Sequence, residues 1–93
     1  MRRNLLRSSA FARELKKWLK SRPEAAGGLQ AVLEQLAADA AHPSLRSHKL
    51  RGPLAGCWSC SSGYDLRIVY EFVTSGDEEA ILLLGVGTHD VVY

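Results

Sequence analysis

The 93-residue sequence lacks features that mark several classes of protein. It has no apolar run near the roughly 20 residues that a helix needs to cross a bilayer. The N-terminus is basic but has neither a long apolar region nor a small-residue cleavage site, so it is a poor secretion signal. We therefore expect a cytoplasmic protein with no membrane partner, folded as a single domain over residues 1–93 around one thin core.

Cysteine is scarce, since Cys57 and Cys60 are the only two. A zinc site needs four ligands, and a redox Cys-x-x-Cys motif needs a helix N-terminus to lower the thiol pKa. On a strand, residues three apart point to opposite faces, so the two sulfurs would diverge. We interpret both cysteines as small strand residues and predict neither a metal site nor a cofactor.

Basic residues are nearly missing from the second half of the chain. Residues 1–51 carry eleven Lys and Arg against four acids, whereas residues 52–93 carry one Arg against six acids. A basic half permits a polyanion or an acidic partner. On charge alone, a solvated helix face is the better explanation.

The first half of the sequence predicts a short strand and two helices. A weak strand signal covers residues 2–7, and Ser8 or Ser9 can cap a helix whose apolar stripe runs through Phe11, Leu15 and Trp18. This helix should end near residue 22, because Pro23 disfavours helical geometry before it and suits the first turn of a second helix. The second helix should end around residues 41–43, and residues 42–54 indicate a loop.

The second half predicts strands. Trp58 and Cys60 should share one face of a strand that follows Gly56, with Cys57, Ser59 and Ser61 on the other. In the next strand Leu66, Ile68, Tyr70 and Phe72 should pack on the helices, leaving Asp65 and Arg67 on the open face. Residues 75–79 indicate a polar hairpin turn, and residues 80–86 a strand covered on both faces. We predict an α+β fold with the N-terminal helical hairpin packed on one face of a small twisted antiparallel sheet.

Residues suited to chemistry fall in three segments of the second half. These are His48-Lys49-Leu50-Arg51-Gly52, Tyr64-Asp65-Leu66-Arg67-Ile68-Val69-Tyr70 and Gly87-Thr88-His89-Asp90-Val91-Val92-Tyr93. In this order, with Gly56 between the first two, they resemble the RelE/ParE superfamily of toxins from bacterial type II toxin–antitoxin systems. Within it they are most similar to the YafQ-like mRNA interferases.

The resemblance implies a ribosome-dependent endoribonuclease that cuts mRNA and is silenced by a cognate antitoxin, with ribosomal RNA as a further partner. His48 matches the family's His-x-Leu-x-Gly segment, and His89 its Gly-Thr-His motif. The implied catalytic set is His48, Asp65, Arg67, His89 and Tyr93. This chain departs from YafQ-like toxins at Ser61, where they can carry another histidine, and from other relatives at residues 57–60, where they carry lysines.

Metal-independent RNA cleavage by the substrate's own 2′-OH needs a base, an acid and a cation. We assign His89 as the general acid, either His48 or Asp65 as the general base, and Arg67 as the phosphate clamp. Tyr93 and Trp58 are candidates to stack on or orient a base. The predicted RNA-binding residues are Lys49, Arg51, Trp58, Lys16 and Lys17.

Each of these residues also has a purely structural interpretation. A histidine in a loop, an Asp–Arg surface pair or a packed aromatic is ordinary on its own. Two other functions remain open: a ParE-like toxin that poisons gyrase, against which the set of His48, His89 and Asp65 argues, and a catalytically decayed module that still binds its antitoxin.

Overall fold

The structure, a computed structural model, describes residues 2–62 and 66–87. Two helices, α1 (Ser9–Ser21) and α2 (Ala26–Ala38), pack against a five-stranded sheet. The strands are β1 (Asn4–Arg7), β2 (His48–Lys49), β3 (Trp58–Ser62), β4 (Leu66–Ser75) and β5 (Glu78–Gly87), and their order in the sheet is β1-β5-β4-β3-β2. In the described part of the chain, neither helix is long and apolar enough to span a membrane.

Helix α1 begins and ends where local chemistry predicts. The Ser8 side chain accepts a hydrogen bond from the backbone N–H of Phe11 at 3.0 Å, which satisfies one of the amides left free at a helix start. Phe11, Leu15 and Trp18 recur on one face and are buried. The helix ends at Ser21, two residues before Pro23.

Helix α2 and the segment after it differ from prediction. A short 3-10 turn, Pro23–Ala25, precedes α2, and α2 ends at Ala38 rather than around residues 41–43. The predicted loop 42–54 contains two more 3-10 turns, Pro43–Leu45 and Gly52–Leu54, and the strand β2 between them. Strand β2 has only two residues, which is too short to show an apolar period in the sequence. It is defined by its pairing with β3.

The sheet is mixed rather than wholly antiparallel. Strands β2 to β5 pair antiparallel, and β1 pairs parallel with β5, placing Leu5 beside Ile81. The two helices connect β1 to the rest of the sheet, so β1 can lie parallel to the last strand without a tight turn. The predicted turn at residues 75–79 is a two-residue hairpin around Gly76 and Asp77, and Gly76 takes a φ of 63° that its missing side chain permits.

The core lies between the helices and one face of the sheet. Its largest fully buried side chains include Phe11, Leu36, Ile68, Tyr70 and Leu83. Burying such side chains stabilises the fold by roughly 1.5–3 kcal/mol each.

Phe72 corrects the prediction that four alternating β4 residues pack beneath the helices. Leu66, Ile68 and Tyr70 are buried in the core, whereas Phe72 is 40% exposed. It occupies the same face of β4 but lies outside the buried core cluster. Instead, the guanidinium of Arg3 lies over its ring, 5.2 Å from the centroid.

Strand β5 contains a bulge that anchors α1. Val69 pairs with Gly85 and Tyr70 with Leu83, so Leu84 is an extra residue between them. Beside it, the Glu14 carboxylate of α1 accepts a hydrogen bond from the backbone N–H of Val86 at 3.1 Å. A Cβ at Gly85 would lie 3.1 Å from the same carboxylate, so the glycine permits the close approach. Leu82, Leu84 and Gly85 are only half-buried, so β5 is not fully covered on both faces as predicted.

Candidate active site

Strand register divides the side chains of β2, β3 and β4 between two faces. We call the face that packs against α1 and α2 the helix face; it carries Cys60, Ile68 and Tyr70, as the alternation predicts. We call the opposite face the far face. It carries two cross-strand rows, His48–Ser59–Val69 and Ser61–Arg67–Gly87.

The far face brings together two of the predicted catalytic residues. His48 on β2 shares a row with Ser59 and Val69, and Arg67 lies two residues from Val69 along β4. Given the usual strand spacing and rise, their Cα atoms are about 12 Å apart. A guanidinium and an imidazole that extend from positions at this separation can contact one phosphodiester group.

The hydrogen bond of His48 fixes which ring nitrogen carries a proton. Its Nδ1 lies 3.3 Å from the carbonyl oxygen of Arg46, and a carbonyl can only accept. In this hydrogen bond the neutral ring carries its proton on Nδ1. The His48 side chain is exposed, so the ring can reach a substrate.

The segment before His48 is tied to the core through side chains. Ser47 donates from its hydroxyl to the carbonyl oxygen of Ala40 at 3.2 Å and accepts from the Tyr70 hydroxyl, also at 3.2 Å. Burial raises the pKa of Tyr70, an effect that the hydrogen bond to Ser47 partly offsets, so the phenol stays a donor at neutral pH. The Tyr70–Ser47 contact links the helix face to the residue next to His48.

Sequence reasoning did not find this link. Ser47 and Tyr70 are 23 residues apart, and a lone serine in a loop carries no signal. Arg46 was also missed: it adopts the left-handed conformation with φ 51°, which is unusual for a residue with a side chain. Its conformation lets the chain turn from Pro43–Leu45 into β2.

The predicted RNA-binding residues do not share one surface with Arg67. Trp58 pairs with Tyr70 and Lys49 pairs with Trp58, so both lie on the helix face. Trp58 is half-buried beside Phe72, and the Lys49 ammonium lies 5.5 Å from its ring centroid. These two side chains therefore point away from the far face where His48 and Arg67 lie.

The remaining predicted residues are exposed or outside the described ranges. Lys16 and Lys17 are exposed on α1, and Arg51 is exposed just before the Gly52–Leu54 turn. The positions of Asp65, His89 and Tyr93 lie outside residues 2–62 and 66–87. Their predicted roles stay predictions.

The cysteines are not arranged as a paired site. Cys60 is buried in the core, and burial raises the pKa of its thiol to about 12. Cys57 precedes β3, and its pKa is also raised, mainly by burial and then by the charge of Glu71. Within residues 2–62 and 66–87, no group of three or more His, Cys, Asp or Glu residues is placed to hold a metal ion.

Comparison with solved structures shows the same fold in bacterial toxins. The structure of YafQ from E. coli strain BL21(DE3) matches with a TM-score of 0.78 at 15% identity, covering 98% of both chains. The YoeB/ParE toxin from Agrobacterium tumefaciens matches with a TM-score of 0.74 at 17% identity, covering 92% of this chain and 98% of the other. The E. coli DinJ–YafQ toxin–antitoxin complex matches at 0.76 and 16% identity over 100% and 99% of the two chains.

Sequence comparison identifies the family. Among curated proteins, none is similar enough to count as a relative. The family model described as bacterial toxin of type II toxin–antitoxin system, YafQ, matches residues 3–93, which is nearly the whole chain. This chain therefore belongs to the YafQ family of bacterial type II toxins.

Proposed function

We propose that this toxin is a metal-independent endoribonuclease that cleaves mRNA on the ribosome and is neutralised by a cognate antitoxin in the cytoplasm. One observation carries the proposal: the register of β2 to β4 places the imidazole of His48 and the guanidinium of Arg67 on the same face of the sheet. Family membership supports the toxin role. The matching DinJ–YafQ complex, in which a toxin of this fold is bound to its antitoxin, supports the partner.

The proposed reaction is attack by a 2′-hydroxyl on the adjacent phosphate. A base takes the 2′ proton, the 2′ oxygen bonds to phosphorus, and the bond to the 5′ oxygen breaks as an acid protonates it. The products are a 2′,3′-cyclic phosphate and a 5′-hydroxyl. His48 suits the base because its imidazole is exposed and lies on the same face of the sheet as Arg67, and Asp65 is the alternative.

Arg67 suits the clamp because its guanidinium can donate two parallel hydrogen bonds to phosphate oxygens and stays charged at neutral pH. It would stabilise the charge that builds on the phosphate in the transition state. His89 as general acid and Tyr93 as an orienting aromatic complete the proposed set. Lys16, Lys17, Lys49 and Arg51 would meet ribosomal RNA, and Trp58 would contribute from the helix face rather than beside Arg67.

Replacing Arg67 tests the clamp. We expect Arg67→Lys to slow mRNA cleavage, because a point charge replaces the planar guanidinium only in part. Arg67→Ala removes the charge as well and should slow cleavage by roughly 10²–10³-fold. Cleavage is measured by mapping mRNA 5′ ends after induction of the chain alone. Cleavage by Arg67→Lys at the parental rate would remove Arg67 from the mechanism.

Replacing His89 tests the acid and separates the competing functions. We expect His89→Ala to relieve growth arrest while antitoxin affinity stays nearly unchanged, and parental cleavage to be insensitive to chelator. Undiminished cleavage by His89→Ala would contradict the assignment. Cleaved plasmid DNA in the presence of gyrase, without new mRNA ends, would identify a gyrase poison instead.

A further inference from the structure

The helix face continues beyond the core as a groove that the far-face chemistry does not use. The groove has a volume of about 530 Å³ and lies between the segment that follows α2 and the aromatic residues of β3 and β4. Trp58, Tyr70 and Phe72 form its aromatic wall, and Arg3 and Arg46 are among its other lining residues.

The aromatic wall is a rigid, partly exposed cluster. The ring of Phe72 meets Trp58 edge-on, with centroids 5.9 Å apart and planes at 79°, and meets Tyr70 edge-on at 5.6 Å and 90°. Phe72 is 40% exposed and, with Leu6 and Leu54, is one of three exposed large hydrophobic side chains among the described residues. Exposed aromatics held in fixed orientation are typical anchors for a protein partner.

The rim of the groove also carries cations. Arg46 lines the groove, and Arg3, which is paired with Glu79 at 2.9 Å, lies over the Phe72 ring. The ammonium of Lys49, which lies next to the groove rather than in its lining, is over the Trp58 ring. Of the described residues that line the groove, Asp39 is the one acid, and its carboxylate accepts a hydrogen bond from the backbone N–H of Ala41. The surface therefore combines an aromatic wall with a positively charged rim. Such a surface is complementary to an acidic segment that also carries apolar side chains.

We propose that this groove, lined by Arg3, Arg46, Trp58 and Phe72, docks an acidic amphipathic segment of the antitoxin, on the opposite side of the sheet from His48 and Arg67. The proposal rests on the proposed function, since the partner is the antitoxin. An apolar side chain of the segment contacts Phe72, and one of its carboxylates pairs with Arg46. Binding here does not involve the side of the sheet that carries His48 and Arg67.

RNA fits the groove less well than a peptide. A base would stack on a ring face, but Arg3 and Lys49 already lie over the rings of Phe72 and Trp58. Arg3 is held in place by hydrogen bonds from its Nε and Nη2 to Glu79 at 3.1 and 2.9 Å. RNA positioned for cleavage beside Arg67 would also have to pass around the β2 edge of the sheet to reach this side.

The test is a calorimetric titration of the antitoxin encoded in the adjacent reading frame into the parent chain and into the Phe72→Ala variant. We expect an affinity loss of at least about tenfold, the size typical of a truncated interface anchor. Leu54→Ala is the matched control, because Leu54 is a large hydrophobic residue of similar exposure, 38%, outside the groove. Its affinity should stay within about twofold of the parent.

A second pair of variants tests the charge of the groove. Arg46→Glu should weaken antitoxin binding, and Arg13→Glu, at an exposed position of α1 outside the groove, should weaken it much less.

Three results would overturn the docking site. The first is equal antitoxin affinity of Phe72→Ala and Leu54→Ala. The second is weakened binding of a short single-stranded RNA by Phe72→Ala with antitoxin affinity intact, which would identify an RNA surface. The third is loss of mRNA cleavage by Phe72→Ala in the absence of antitoxin, which would place the groove in the catalytic machinery. Failure of the parent chain itself to bind the antitoxin would contradict the proposed function, whereas each of the three results above contradicts only the docking site.

Discussion

The helix face and the far face of strands β2, β3 and β4 differ in the side chains that they carry. On the helix face, Cys60 and Ile68 are fully buried against the helices, and their environment is apolar. On the far face, the neighbouring positions are polar or charged: Ser59, Ser61 and Arg67. Because side chains alternate along a strand, a residue packed against the helices lies next to one that points to the opposite face, where Ser59 and Ser61 are buried and Arg67 is half-buried. Stability and activity can therefore be changed independently by substitutions one position apart.

Substitutions of the adjacent β4 residues Arg67 and Ile68 should affect activity and stability separately. We expect Ile68→Ala to lower the free energy of unfolding by about 2–5 kcal/mol, because it leaves a cavity in the core. Arg67→Ala should change it far less while abolishing most cleavage. Urea unfolding and mRNA cleavage of both variants check this, and equal destabilisation by the two would show that the faces are not separate.

Alkaline pH should lower the stability of the fold through Cys60 on the helix face. Burial raises the pKa of its thiol from the ordinary value of 9.0 to about 12, so above pH 9 the unfolded chain loses a proton that the folded chain keeps. Stability should fall as pH rises from 9 toward 12, with a slope of up to about 1.4 kcal/mol per pH unit from this group. Urea unfolding of Cys60→Ala across this range should show a shallower decline; an unchanged slope would contradict the burial of the thiol.

A smaller effect is expected at the hydrogen bond between Tyr70 and Ser47, which links the helix face to the residue before His48. Tyr70→Phe removes the hydrogen bond to Ser47 and should cost about 0.5–1.5 kcal/mol of stability. Because Ser47 precedes His48, the same change should reduce kcat more than it raises KM. A double-mutant cycle with Ser47→Ala measures the coupling, and additive effects of the two substitutions would show that the contact is not what holds the segment.

Local signals were sufficient for several elements and insufficient for others. The cap at Ser8, the apolar spacing of α1, the glycine turn before β5 and the alternation in β4 all act within a few residues, so they could be predicted. The parallel pairing of β1, the strand β2 and the exposure of Phe72 depend on which distant segment lies beside them. The same limit applies to the candidate site: alternation along β4 predicts that Arg67 points away from the helices, whereas the place of Lys49 beside Trp58 on the helix face depends on the strand register.

Periodicity along the chain was enough to establish two helices followed by strands, and the order of a few polar segments was enough to indicate the toxin family. Side-chain alternation along β4 is also enough to predict that Arg67 points away from the core. Pairing between strands then established what periodicity cannot: that His48 joins Arg67 on one face, and that an aromatic, cationic groove lies on the other. The physical reason is that alternation is a property of one strand, whereas the register between strands is set by hydrogen bonds and packing across the whole sheet.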